Sequence, residues 1–323
     1  MNVLAEREQF AHAMKNGEWL FHTLLGRLAV NLYAERYDAA ADAETDMLEY
    51  IQDARPSTDQ SLAVSICRGQ LAWALGNVTD AKQHVDHALQ FIDDSTIAHR
   101  VSTLYGLAAR VAYAQGDLKA STNYQGAALK HAMDTWPTTS AHTIDETISY
   151  CSHRMELNEL AGVEELLQDA LERTLGSSGA GSARHGQVLA ALGRYATCCG
   201  DSTRARTLLE EADQVLSPLG STGTLADVNY HLAQAYVFLG LHESALSRAH
   251  RAVKIDTEVY GDDSTEVAKD LHNLAEVQAA TGRPKTASQT IRRAVEIFEA
   301  HPEYPGHWQE LARRFQRQIR NVY

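Results

Sequence analysis

Small side chains recur along this chain at a spacing that only a stacked array can use. Ala29, Gly69, Ala109, Cys151, Gly193, Ala233 and Ala275 follow one another at intervals of 40, 40, 42, 42, 40 and 42 residues. Twelve residues after each come Ala41, Ala81, Ser121, Val163, Ala205, Ala245 and Ala287. Nineteen after each come Leu48, Ala88, Ala128, Ala170, Ala212, Ala252 and Ala294. A fixed period of this length marks an architecture in which each unit buries its apolar face only against its neighbours.

Each unit reads as two amphipathic helices. In the sixth, Val228 to Leu239 forms the first helix, Gly240-Leu241-His242 the turn, and Glu243 to Glu258 the second. Glycine suits the turn because a helix most often ends on a left-handed residue. The same glycine stands at Gly76, Gly116, Gly200 and Gly282, with Arg36 in its place in the first unit and Asn158 in the fourth. Those two units are therefore expected to be the least regular. The small residue of the first helix and the first small residue of the second let two backbones approach, and the second helix's later small residue faces the following unit. A large side chain at any of them would overpack the contact by roughly 1–3 kcal/mol.

The composition narrows the function. Lys and Arg total 29 against 42 Asp and Glu, a formal charge of -13, which disfavours direct nucleic-acid binding and docking on anionic membranes. The one basic cluster, Arg313, Arg314, Arg317 and Arg320, reads as a solvated helix end, where cations are favoured. The first sixteen residues carry charge throughout and have no apolar core, and no apolar run reaches the length of a membrane span. Cys67, Cys151, Cys198 and Cys199 form no CxxC pair. Together these point to a reducing, cytoplasmic setting.

The pattern resembles the tetratricopeptide repeat. It is carried by Leu192-Gly193, by Leu232-Ala233 with Tyr236, Gly240, Ala245 and Ala252, and by Leu274-Ala275 with Gly282, Ala287 and Ala294. The period is longer than that family's 34 residues and is similar to the variant of kinesin light chains. Val259 to Ser264 followed by Val267 to Ala275 matches that variant's linker and first helix. The resemblance covers about residues 22–300. It implies an all-α, right-handed superhelical solenoid of about seven helix pairs with a capping helix at each end. The expected division is an N-terminal cap over 1–21, repeats one to four over 22–174, a flexible Gly/Ser linker over 175–186, repeats five to seven over 187–303, and a C-terminal cap over 304–323. Trp308, Leu311, Phe315 and Ile319 form one stripe, expected to be that cap's buried face.

In such arrays the first helix of each pair lines the concave groove. Four residues after the small position stand Tyr33, Trp73 and Tyr113 in three successive units, an expected aromatic ladder. One residue after it stand Gln70, Arg110, Arg194 and Gln234; three before it stand Tyr230 and His272. Aromatic side chains beside Arg and Gln are the composition of binding hot spots. The opposing reading is that these aromatics are ordinary core. Gly26 and Gly106 would leave open space beside the ladder. The family's carboxylate clamp is not reproduced, since Glu276 stands where a clamp wants Asn beside Lys269 and Asn273.

No catalytic motif is present. The stretch 176–186 is Gly-rich but lacks the lysine of a phosphate loop, and His84, Asp86 and His87 share one helix with no second ligand pair. The expectation is a non-enzymatic scaffold, without cofactor or metal, that binds a protein or peptide in its concave groove. A homodimer is left open. The alternatives are a peptide-sensing regulator acting on a separate effector, and an enzyme on a helical scaffold, which would need Arg110, Tyr113 and Asp145 to converge.

Overall fold

The computed structural model describes residues 17–33, 36–53, 57–92, 96, 98–220, 222–301 and 307–322. Among them are fifteen α-helices and one short 3-10 turn at Ser217–Leu219, with no strand. Seven helix pairs follow in order: α1 (Gly17–Tyr33) with α2 (Tyr37–Asp53), α3 (Thr58–Ala74) with α4 (Val78–Leu89), and α5 (Ala98–Ala114) with α6 (Leu118–Thr135). Then come α7 (Ala141–Glu156) with α8 (Val163–Ser177), α9 (Ala183–Cys198) with α10 (Ser202–Leu216), α11 (Gly223–Phe238) with α12 (His242–Tyr260), and α13 (Thr265–Ala280) with α14 (Pro284–Ala300). A last helix, α15 (His307–Val322), packs on α14. The expected N-terminal cap lies outside the described residues except for its last positions, which open α1.

The periodic residues occupy the contacts between helices. Ala109, Cys151, Ala233 and Ala275 are fully buried, as are Ala81, Ala205, Ala245, Ala287 and their later partners Ala88, Ala212 and Ala294. Gly193 has no alternative: a Cβ there would sit 2.5 Å from Leu209 Cγ on α10. The Ser121 hydroxyl donates to the Ala109 carbonyl at 2.7 Å, which is possible only because the two backbones touch. The turn residues Gly76, Gly116, Gly200, Gly240 and Gly282 all have φ between 73° and 80°, and Asn158 takes the same left-handed conformation at 57°. Asparagine tolerates that region because its short side chain bonds locally, so the fourth unit keeps its turn. Side-chain N-caps at Ser57, Asn77, Asp117, Ser140, Ser182, Asp201, Thr222 and Ser264 start the helices by accepting an orphan N–H.

The first unit is displaced by one residue from its expected frame. Leu28, Ala40 and Met47 are fully buried, with Phe21, Leu24 and Thr23 beside them, whereas Ala29 is exposed. Leu28, Ala40 and Met47 keep the offsets of twelve and nineteen, so they, and not Ala29, Ala41 and Leu48, are the periodic set. The Arg36 N–H bonds the Asn31 carbonyl at 2.9 Å, as the Asn77 N–H bonds the Ala72 carbonyl at 2.8 Å. Arg36 therefore stands one residue past the turn. Of the stretch 175–186, the first three residues end α8 and the last four begin α9, leaving 178–182 between them.

Consecutive first helices line the inner wall. α1 packs on α3, α3 on α5, α7 on α9, α9 on α11, and α11 on α13. Between α5 and α7 the backbones stand apart and side chains span the gap: Ser102 to His142 at 3.1 Å and the Tyr113 ring to the His153 ring at 5.7 Å, with Gln125 of α6 bonding Glu146 of α7 beside them.

Candidate binding channel

The inner wall is polar and aromatic, and α15 closes it. The Trp308 indole N–H donates to the Tyr113 hydroxyl at 3.1 Å, joining residues 195 positions apart. A solenoid that curves far enough brings its seventh unit back beside its third. Lys269 on α13 completes the crossing, with its ammonium 5.8 Å from the Tyr113 ring centre. Burial, with Glu156 adding to it, pushes the Tyr113 hydroxyl up to about 12, so it stays protonated.

Two cavities open along this wall. One of about 220 Å³ lies between α7, α9 and α11, bordered by Asp145, Ser149, Ser152, Gln187, Arg194, Asp227 and His231. The other, about 340 Å³, lies between α11, α13 and α15, bordered by Tyr230, His272, Glu276, Trp308, Leu311, Arg314, Phe315 and Gln318. Desolvation holds the wall's histidines neutral, His153 and His272 at about 4 and His231 at about 3. It pushes carboxyls the other way. Asp227 rises to about 6 although its side chain reaches solvent in the channel, and Glu276 rises to about 7.

The expected groove residues fall into three groups. Tyr113, Tyr230 and His272 are brought together by α15. Trp73 and Arg110 pair with each other, the guanidinium 5.7 Å from the ring centre, and the tryptophan leans on the core of units two and three. Gln70 is half-buried on α3. Arg194 borders the first cavity but is engaged in an ion pair with Glu156, and Gln234 donates to the Tyr230 hydroxyl at 3.3 Å. Tyr33 closes α1, and its side chain lies outside those described; the one-residue frame shift gives its expected ladder position to Leu32. Gly26 does face open space, while a Cβ added at Gly106 would lie 3.6 Å from the Glu146 carboxylate.

Two ion pairs bear on the expected site. Arg184 forks onto Asp145 at 2.9 and 3.0 Å, and Arg194 meets Glu156; in each pair the acid sits one repeat earlier at nearly the same position. Arg204 with Glu164 and Arg283 with Glu243 repeat the device. Asp145 is thus committed to Arg184 and does not converge with Arg110 and Tyr113. The signal was in the sequence as Arg and acid recurring 38 to 40 residues apart. Trp308 and Phe315 were expected inside the cap; among the described side chains of α15 only Ala312 and Ile319 are deeply buried, while Trp308 and Phe315 border the second cavity and Leu311 is exposed.

The sequence of residues 224–300 matches the model of the tetratricopeptide repeat. These residues are tetratricopeptide repeats, and the array they end shares that fold. No curated protein matches the sequence. Among solved structures, NprR in complex with its cognate peptide NprX superposes with a TM-score of 0.69 at 9% identity, over 91% of this chain and 83% of that one. The APC/C hetero-tetramer Cut9–Hcn1 gives 0.60 at 13%, over 98% and 52%. Rap protein complexed with Competence and Sporulation Factor gives 0.54 at 14%, over 94% and 98%. At these identities the likeness is one of fold. Among the described residues no three His, Cys, Asp or Glu are arranged to hold a metal ion, and no helix is long and apolar enough to cross a membrane.

Proposed function

We propose that this tetratricopeptide-repeat array binds an extended peptide or protein segment along its inner wall and carries out no chemistry on it. The observation that carries the reading is the cavity between α7, α9 and α11, where Ser149, Ser152, Gln187 and Asp227 offer hydrogen-bonding groups beside the apolar Ile148, Ala190 and Val228. A segment lying there would have both its backbone and its side chains served. Arg194 supports the site by holding Glu156 and contributes field more than a free donor. NprR, crystallised with a peptide, has a similar fold over most of this chain and supports a peptide as ligand. The reading as a sensor draws on a second observation: the Trp308–Tyr113 bond ties α15 to the third unit across the channel. A ligand entering beside it would shift the balance between tied and released states, which is how binding becomes a signal.

Affinity selection of a random hexapeptide mixture tests this. The wild-type chain should retain a distinct subset, and Ser149→Phe, which fills the cavity, and Asp227→Ala should each lose it with helix content unchanged. Equal retention by all three chains would move the interface off this wall.

A further inference from the structure

The second cavity differs from the first in being walled by aromatic rings. Tyr230 and Trp308 meet at 89° with centres 6.4 Å apart, Trp308 and His272 at 74° and 6.1 Å, and His272 and Phe315 at 66° and 5.6 Å. Rings set this steeply enclose a space and do not stack away into one another. Glu276 lines the same space one helical turn beyond His272, with its Oε2 3.8 Å from His272 Nδ1. That nitrogen is buried and has no hydrogen-bond partner among the described residues, and the His272 side chain is only 6% exposed.

The geometry points to a cage between α11, α13 and α15 that seats an alkylammonium or guanidinium group of the bound segment, with Tyr230, Trp308 and Phe315 as its walls and Glu276 as its counter-charge. This rests on the channel being the peptide site and adds the class of side chain it selects. Aromatic rings attract cations electrostatically, and the attraction grows as water is excluded. The surrounding charges agree. At the Tyr230 hydroxyl, burial acts first, and Glu276, Glu156 and Asp270 then hold the proton on against the opposing influence of Arg194. His272 is neutral, and burial pushes Glu276 up to about 7, so a cation entering the cage would settle a carboxylate that protein groups leave without a strong partner. An acidic or wholly apolar guest would leave it stranded. Arg314 stands exposed at the rim, with no acid within ion-pair distance among the described residues, and is free to swing clear.

Three labelled hexapeptide mixtures, fixed at one position as lysine, glutamate or norleucine, read the preference by fluorescence anisotropy. The lysine mixture should bind about tenfold tighter than the norleucine mixture. Glu276→Gln should remove most of that margin, and Phe315→Leu, which keeps apolar volume without the ring, should reduce it about threefold. Tightest binding by the glutamate mixture, or a lysine margin that survives Glu276→Gln, would overturn the cage while leaving the channel reading in place. If no mixture bound, the channel reading would fail, and the cage would be judged alone. In that arm the Trp308 indole N–H resonance, assigned with Trp308→Phe, should move with tetramethylammonium chloride and not with sodium chloride at equal ionic strength. A motionless resonance would overturn the cage.

Discussion

Two carboxylates two repeats apart, one on the outer helix α10 and one on the inner helix α13, show how differently this array treats buried charge. Asp213, on α10, receives Arg248 at 2.7 Å and Arg251 at 3.0 Å from the next outer helix, with the Ser217 hydroxyl donating at 2.8 Å. Burial alone would raise it, but the bonds from Arg248 and Ser217 and the two positive charges leave it below the ordinary carboxylate range. Asp270, early in α13, is 5% exposed, has a buried oxygen without a partner, and is pushed up to about 9 by burial and by Asp256, Asp227 and Glu266. Asp256 repeats the condition at about 7. Around Asp213 charge binds repeat to repeat, as it does in the Arg184–Asp145 and Arg194–Glu156 pairs. Where α12 meets α13, Asp256 and Asp270 are pushed towards the neutral form, each with a buried oxygen that has no partner, at a cost to stability.

The largest expected effect tests the inner half of that contrast. Because the folded-state value of Asp270 lies above its unfolded value, its contribution favours folding at low pH and is lost as pH rises from about 4 through about 9. Asp270→Asn should therefore stabilise the chain, on the order of 2–4 kcal/mol at pH 8, with the gain shrinking towards pH 4. Urea melts across that range would show it, and a loss at pH 8 would end the account of a stranded acid. Next comes the closure. Trp308→Ala removes the bond to Tyr113 and the ring contacts to Tyr230 and His272, and should cost about 2 kcal/mol and expose α15 to proteolysis first. Asp213→Asn should go the other way from Asp270→Asn, destabilising by about 1–2 kcal/mol at pH 7, because two arginines lose their acceptor. Its effect should fade as pH falls through the depressed value of Asp213. The smallest is Arg110→Ala, about 0.5–1 kcal/mol, for a cation lying on the half-buried Trp73 ring.

The architecture was legible because stacking demands small residues at fixed places, and Gly193 against Leu209 shows why nothing larger serves. The frame of the first unit was not, since Ala29, Ala40 and Ala41 offer a small residue in either frame and alanine is indifferent to burial. Only Phe21, Leu24 and Leu28, read as one face, separate the two. The groove residues were legible in part. Tyr230 and His272 border the second cavity and Tyr113 meets Trp308, whereas the ion pair of Arg194 with Glu156 was not foreseen. Trp308 could not be placed on the wall from sequence, because its meeting with Tyr113 depends on curvature accumulated over four repeats.

The most direct test of the central claim is amide hydrogen exchange with and without a peptide selected by the wild-type chain. Binding in the channel predicts protection on the inner helices, at Ser149–Ser152 of α7, Gln187–Arg194 of α9 and Thr224–His231 of α11, with the outer helices α8, α10 and α12 unchanged. Protection confined to the outer helices would contradict it.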